Sequence, residues 1–72
     1  MNTKTNRIPR NFCGMFIETL TDTNGGKKGD IYYISKNDYN QYIGINERTQ
    51  QSYLFVVGQL RNPDFIKILR YC

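Results

Sequence analysis

The sequence predicts a small all-β protein: a five-stranded barrel preceded by a basic N-terminal arm. Three observations support this fold class. The chain has 72 residues, enough for one domain. Short segments are rich in β-branched and aromatic residues, and turn signals separate them at roughly ten-residue intervals. We expect the arm to span residues 1–11 and the single domain to span residues 12–72.

The first two predicted strands span residues 12–20 (FCGMFIETL) and residues 30–35 (DIYYIS). Side chains alternate between the two faces of a strand, so Tyr32 and Ile34 are expected on one face and their neighbours on the other. Cys13 lies between an aromatic residue and a glycine near the start of the first strand. We expect it to be a small core residue.

A turn rich in glycine and lysine, residues 21–29, joins these two strands. Asn24 and Gly25 both tolerate positive φ, which is a strong hairpin signal. A nucleotide-binding loop would need a serine or threonine after the lysine and then a helix. Here a glycine follows Lys28 and a predicted strand follows the glycine, so that function is excluded. Lys27 and Lys28 are instead expected at an exposed basic tip.

The next two predicted strands differ in pattern. Residues 42–47 (YIGINE) alternate cleanly and place Ile43 and Ile45 on one face. Residues 52–60 (SYLFVVGQL) form the most apolar segment and are predicted to be a central strand buried on both faces.

The pattern of residues 63–72 fits either a strand or a helix. Ile66 and Ile68 alternate with a polar residue, as in a closing strand. A helix would begin equally well with Asn62 as N-cap and Pro63 in its first turn. The alternative fold is therefore an α+β protein, with a four-stranded antiparallel sheet and a C-terminal helix from Pro63.

Residues 27–69 resemble a Src-homology-3-like barrel. Residues 27–31 (KKGDI) resemble the turn that enters its second strand, and residues 38–44 (DYNQYIG) are similar to the turn and the entry of its third strand. Residues 62–68 (NPDFIKI) resemble its short helical turn and closing strand. The resemblance implies a barrel that serves as a binding module.

Several positions depart from the pattern of that family. Pro63 and Phe65 match a proline and an aromatic position of the family's peptide groove, but Tyr42 stands where the family has tryptophan. The acidic loop of the family corresponds to residues 21–28, which are basic here. These departures argue against a proline-rich ligand, although a nucleic-acid or protein partner is compatible with the same fold.

Composition argues against an enzyme. The chain has no histidine, which removes the commonest general base and the commonest metal ligand. Cys13 and Cys72 match no zinc-ligand spacing, which needs four clustered ligands. We expect no catalytic residue, cofactor or metal, and two thiols, with a disulfide as the alternative. No apolar run approaches the roughly 18 residues of a membrane span, so a cytoplasmic protein without membrane contact is expected.

Ten basic and six acidic residues give a net charge of +4, which favours an anionic partner. We expect a non-catalytic module in which basic turns contact phosphates and exposed tyrosines stack on bases. The expected nucleic-acid-binding or partner-binding residues are Lys27, Lys28, Lys36, Tyr39, Tyr42, Arg48, Tyr53 and Arg61, with Lys4, Arg7 and Arg10 on the arm.

Two other functions remain open. The first is a protein-binding inhibitor or adaptor that uses a tyrosine-rich face or a sheet edge to contact a host protein. The second is a small structural subunit that self-assembles through a strand edge. The protein is expected to be a monomer or a small homo-oligomer. Its composition, rich in asparagine and tyrosine, resembles that of phage or other mobile-element accessory proteins.

Overall fold

The computed structural model describes residues 6–9, 12–23 and 25–71. The elements are β1 (Met15–Thr19), β2 (Ile31–Lys36), β3 (Tyr42–Asn46), β4 (Ser52–Phe55), α1 (Val57–Arg61) and β5 (Ile66–Tyr71). The five strands form one antiparallel sheet in the order β4-β3-β2-β1-β5. A sheet-rich fold is therefore confirmed.

The sheet is open, so the prediction of a closed barrel is wrong. β4 and β5 are its two edge strands, and neither pairs with the other. β4 ends at Phe55 after four residues, and the chain then turns into α1. The edge formed by β4 is therefore interrupted after Phe55 and does not pair with β5.

The core lies on one face of the sheet. Met15 and Ile17 of β1 are fully buried, as are Ile34 of β2 and, almost completely, Tyr32. The predicted alternation of β2 is confirmed, since Tyr32 and Ile34 share the core face. The other buried hydrophobic residues are Phe55, Leu60 and Ile66. Each fully buried side chain of this size contributes about 1.5–3 kcal/mol, which matters in a chain with so small a core.

The middle residue of β3, which faces the core, is a glycine. Ile43 and Ile45 share a face as predicted, but it is the opposite face that is buried, and Ile45 is 39% exposed. Gly44 is buried because the ring of Phe55 occupies the space that a side chain would need. A Cβ added to Gly44 would overlap that ring and lie 2.8 Å from Ile34 Cδ1.

The prediction of a central strand over residues 52–60 is wrong. β4 lies at an edge of the sheet, and its Leu54 is 63% exposed. The backbone of Val56 remains extended, and its N–H donates to Gln59 Oε1 at 3.0 Å. This bond caps the short helix α1, which turns Leu60 into the core.

Residues 66–71 form β5, so the alternative helix from Pro63 is wrong. Asn62 instead stabilises a turn: its Oδ1 accepts the Asp64 N–H at 2.9 Å. Its carbonyl oxygen also accepts the N–H groups of Phe65 and Ile66, each at 3.1 Å. The chain then leaves the turn extended and pairs with β1.

Residues 6–9 of the predicted arm lie against the domain. Asn6 donates from its N–H to the Arg61 carbonyl at 2.9 Å, and from its side chain to the carbonyls of Leu60 and Ile66 at 3.0 and 3.1 Å. Ile8 packs against the core. The remainder of the predicted arm, residues 1–5, 10 and 11, lies outside the described residues.

Cys13 is exposed, so its prediction as a core residue is wrong. The neighbouring Phe12 packs against the core instead, and the regular alternation of β1 begins only at Met15. The alternative prediction of a disulfide between the two cysteines involves Cys72, which lies outside the described residues.

We predict that Gly44→Ala lowers the free energy of unfolding by about 1–3 kcal/mol, because the added methyl group overlaps the Phe55 ring. Gly58→Ala is the control, because a Cβ at that α1 position meets nothing within 4 Å. Alanine there should be neutral or stabilise the protein by up to about 1 kcal/mol. Urea unfolding measures both effects, and equal stability of the two variants would contradict this packing.

Candidate functional site: an aromatic groove beside a basic loop

The loop between β1 and β2, described at residues 20–23 and 25–30, folds back onto the sheet. Thr19, at the end of β1, is buried and donates from Oγ1 to the Lys27 carbonyl at 3.1 Å. The Gly29 N–H donates to the Thr19 carbonyl at 2.7 Å. Near its tip, Thr23 and Gly26 exchange backbone hydrogen bonds of 3.0 and 3.4 Å. The loop is therefore held at both its base and its tip.

The carboxylate of Asp30 ties this loop to the β3–β4 turn. It accepts two hydrogen bonds from Arg48, Nε to Oδ1 at 3.0 Å and Nη2 to Oδ2 at 2.9 Å. It also accepts the Lys27 N–H at 2.8 Å and the Asn46 side-chain amide at 2.9 Å. The bonds from Arg48, then Lys27, then Asn46 lower the pKa of Asp30 well below its usual range.

Two glycines allow the loop to lie directly over tyrosine rings. A side chain at Gly25 would overlap the ring of Tyr53, and one at Gly26 would overlap the hydroxyl of Tyr32. The Tyr53 hydroxyl donates to the Gly25 carbonyl at 3.1 Å. Glycine is required at these two positions because the backbone approaches the rings so closely.

A cleft of about 200 Å³ opens between this loop, β4 and α1. Its floor is aromatic: Tyr32 packs edge-on against Tyr53 and Phe55, with ring centroids 6.1 and 5.2 Å apart. The lining residues are Thr23, Gly25, Tyr32, Tyr53, Leu54, Phe55, Gln59 and Phe65.

A second, shallower cleft of about 380 Å³ adjoins the first. Its lining residues are Val56, Gly58, Gln59, Asn62 and Phe65. Gln59 and Phe65 line both clefts, so the two form one depression, which we call the aromatic groove. The groove offers apolar and aromatic surface with a few polar atoms at its rim, which suits the uptake of apolar side chains.

The predicted basic residues are divided among different parts of the surface. Lys27 and Lys28 are exposed in the loop, and Arg48 lies beside them because it shares Asp30 with the Lys27 N–H. Lys36 is at the opposite end of the sheet, with its Nζ 5.4 Å from the ring centroid of Tyr42. Arg61 is exposed at the end of α1.

The predicted tyrosines are not equivalent. Tyr39 is 82% exposed in the β2–β3 turn. Tyr42 is partly buried and packs edge-on against Phe12, with centroids 5.6 Å apart. Tyr53 is partly buried in the floor of the groove. Of the three, Tyr39 is the one whose ring is open to solvent over most of its surface.

Of the predicted arm residues, Arg7 is exposed, and its carbonyl accepts a hydrogen bond from the Tyr71 hydroxyl. Lys4 and Arg10 lie outside the described residues.

The groove includes residues that the sequence prediction missed, mainly Phe55 and Gln59. The alternation of SYLF along β4 would have placed Phe55 on the same face as Tyr53, had the segment been recognised as an edge strand. Gln59 carried no comparable signal. Phe65 was matched by the resemblance to an aromatic groove position, and it does line both clefts.

No family model matches the chain, and comparison with curated proteins and with solved structures gives no significant match. In the described part of the chain, no helix is long and apolar enough to cross a membrane. Those same residues contain no cluster of three or more side chains suited to holding a metal ion.

We predict that the protein loses stability as the pH falls below about 3.9, the ordinary aspartate value. The lowered pKa of Asp30 stabilises the fold above that pH, and the stabilisation is lost as the carboxylate is protonated. Arg48→Ala removes the largest cause of the shift, so the variant should be less stable at pH 7 and less sensitive to acid.

Urea unfolding at pH 7 and at pH 3 measures this dependence. Arg61→Ala, an exposed site without an ion pair among the described residues, is the control and should behave like the wild type. An unchanged acid dependence in Arg48→Ala would show that the ion pair does not set the pKa.

Proposed function

We propose that the protein is a non-catalytic protein-binding module that takes up a short apolar segment of a partner protein in the aromatic groove. The observation that carries the proposal is the cleft between the loop and α1, in which the exposed Leu54 and the partly buried Tyr53 and Phe65 line the opening above the buried rings of Tyr32 and Phe55. Aromatic side chains are enriched in the centres of protein interfaces, where large rigid rings bind at low entropic cost.

We further propose that the fold is related to the Src-homology-3-like barrel, in an open form. The succession of four strands, a helical turn and a fifth strand that returns to β1 supports this. Phe65 lines the groove, Pro63 lines neither of its clefts, and Tyr42 lines a third cleft that shares Leu54 and Phe55 with the first. The groove therefore differs from the family's in its side chains, and we do not propose a proline-rich ligand.

The charges near the groove favour an acidic partner. Lys27 and Lys28 project from the loop that forms one wall, and within the described residues neither is in an ion pair. The chain as a whole carries +4. We therefore propose that the bound segment has an apolar or aromatic centre flanked by aspartate or glutamate, which electrostatic complementarity would select.

Peptides selected from a random phage-displayed library on the wild-type protein provide the test. We predict that Gln59→Glu raises the Kd of such a peptide by about fivefold, corresponding to about 1 kcal/mol of repulsion near the surface. The glutamate retains an oxygen to accept the Val56 N–H, so α1 should remain capped. Its charge would lie in both clefts.

Gln51→Glu is the matched control. It introduces the same charge at an exposed position of the β3–β4 turn that lines none of the clefts described here. Fluorescence polarisation at one salt concentration compares the three proteins. If the library yields no binder, or if both variants bind with equal affinity, the groove is not the binding site.

Nucleic-acid binding is the second candidate. The observation in its favour is that Lys27, Lys28 and Arg48 lie together at one end of the sheet. If both lysines contact phosphates, Lys27→Gln/Lys28→Gln should reduce the slope of log K against log salt by about 1.8 for duplex DNA.

Titration into single- and double-stranded oligonucleotides at several salt concentrations measures that slope. Lys67→Gln/Arg70→Gln on β5 is the control with the same change in net charge. Absence of binding by the wild type at low salt would eliminate this candidate without affecting the groove.

A further inference from the structure

The two edges of the sheet differ in how they are protected. β5 carries two charged side chains, Lys67 and Arg70, and the Asn6 side chain donates to its Ile66 carbonyl. β4 carries no charge, and the sequence has no charged residue anywhere from 49 to 60. Natural sheets commonly blunt exposed edges with charges or a covering segment. By that criterion, β5 is protected and β4 is not.

The hydrogen-bond pattern shows which β4 groups point away from the sheet. The Asn46 N–H donates to the Gln51 carbonyl at 2.9 Å where the β3–β4 turn closes. In an antiparallel ladder, every second residue bonds to the neighbouring strand. Counting from Gln51, Tyr53 and Phe55 bond to β3 in the observed register.

Ser52 and Leu54 therefore direct their backbone N–H and C=O groups outward. No backbone hydrogen bond from the described residues reaches these groups. The side chains of Ser52 and Leu54 are both exposed, and Leu54 also lines the first cleft of the groove. The edge is accessible and uncharged, and two of its residues can form outward backbone hydrogen bonds.

We infer that this edge pairs with the β4 edge of a second copy of the chain. The inference concerns the outward backbone groups of the β4 edge and does not rest on the proposed function, although Leu54 also lines the first cleft of the groove. Two copies that each carry +4 repel one another, and an uncharged strip allows them to meet without opposing like charges. A two-fold axis makes the two strands antiparallel and joins identical patches.

One register uses all the outward groups. Ser52 of one copy lies opposite Leu54 of the other, and each of these residues both donates and accepts a backbone hydrogen bond. The exposed surface of Leu54 is then partly covered by the second copy. Because β5 is protected, the assembly ends at two chains and does not extend into a filament.

The same axis lies perpendicular to the sheet, so the two core faces, each with its groove, point to the same side. The dimer would thus present both aromatic grooves to one partner surface. A partner with two suitable segments would bind with avidity that neither groove has alone.

Sedimentation velocity over a range of protein concentrations tests the dimer. We expect the wild type to approach twice the mass of one chain as concentration rises. Leu54→Lys places a charge in the pairing edge, and Ser52→Pro removes an outward N–H without removing a bond to β3. Each should raise the dimer dissociation constant by about tenfold or more, with an unchanged far-ultraviolet circular dichroism spectrum.

Leu69→Lys is the control, since it introduces the same residue at an exposed position of β5. It should dimerise like the wild type. A wild type that remains monomeric, or a dimer weakened equally by Leu69→Lys, would overturn the inference. A monomeric wild type that still binds selected peptides would overturn this inference while leaving the proposed function intact.

Discussion

The carboxylate of Asp30 is the interaction on which the loops of this protein depend. It is nearly buried, and it joins the backbone of the β1–β2 loop to Asn46 and Arg48 at the end of β3. Asn46 is itself fully buried, and its Oδ1 accepts the N–H groups of Arg48 and Thr49 at 2.8 and 3.1 Å. A buried carboxylate is tolerated only when its acceptor capacity is satisfied. Here that requirement fixes two loops at once.

The groove and the open edge both lie where the described residues leave the sheet uncovered. One face is packed by α1 and the loop, and the loop can lie over the tyrosines because Gly25 and Gly26 have no side chains. The N-terminal segment reaches one edge through Asn6 and leaves β4 without an equivalent partner among the described residues. Small domains bury a limited share of their surface. In this protein, the surface that stays exposed includes the aromatic groove and the uncharged β4 edge.

Local patterns predicted much of the sheet but little of the site. Alternation placed Tyr32 and Ile34 correctly, because a period of two depends only on neighbouring residues. The apolar run over residues 52–60 misled, since a buried strand and an edge strand followed by a helical turn have the same hydrophobicity. The pairing of Asp30 with Arg48 follows from strand registers that bring distant residues together, and sequence spacing carries no signal for it.

Amide hydrogen exchange of Lys27, measured by NMR on the wild-type protein near neutral pH, tests the central role of Asp30 most directly. Its N–H is in an exposed loop, and its one described acceptor is the Asp30 carboxylate. We predict protection comparable to that of the Gly29 amide, which bonds to the Thr19 carbonyl at the loop base. Exchange of the Lys27 amide at the rate of an unstructured chain would show that the carboxylate does not hold the loop.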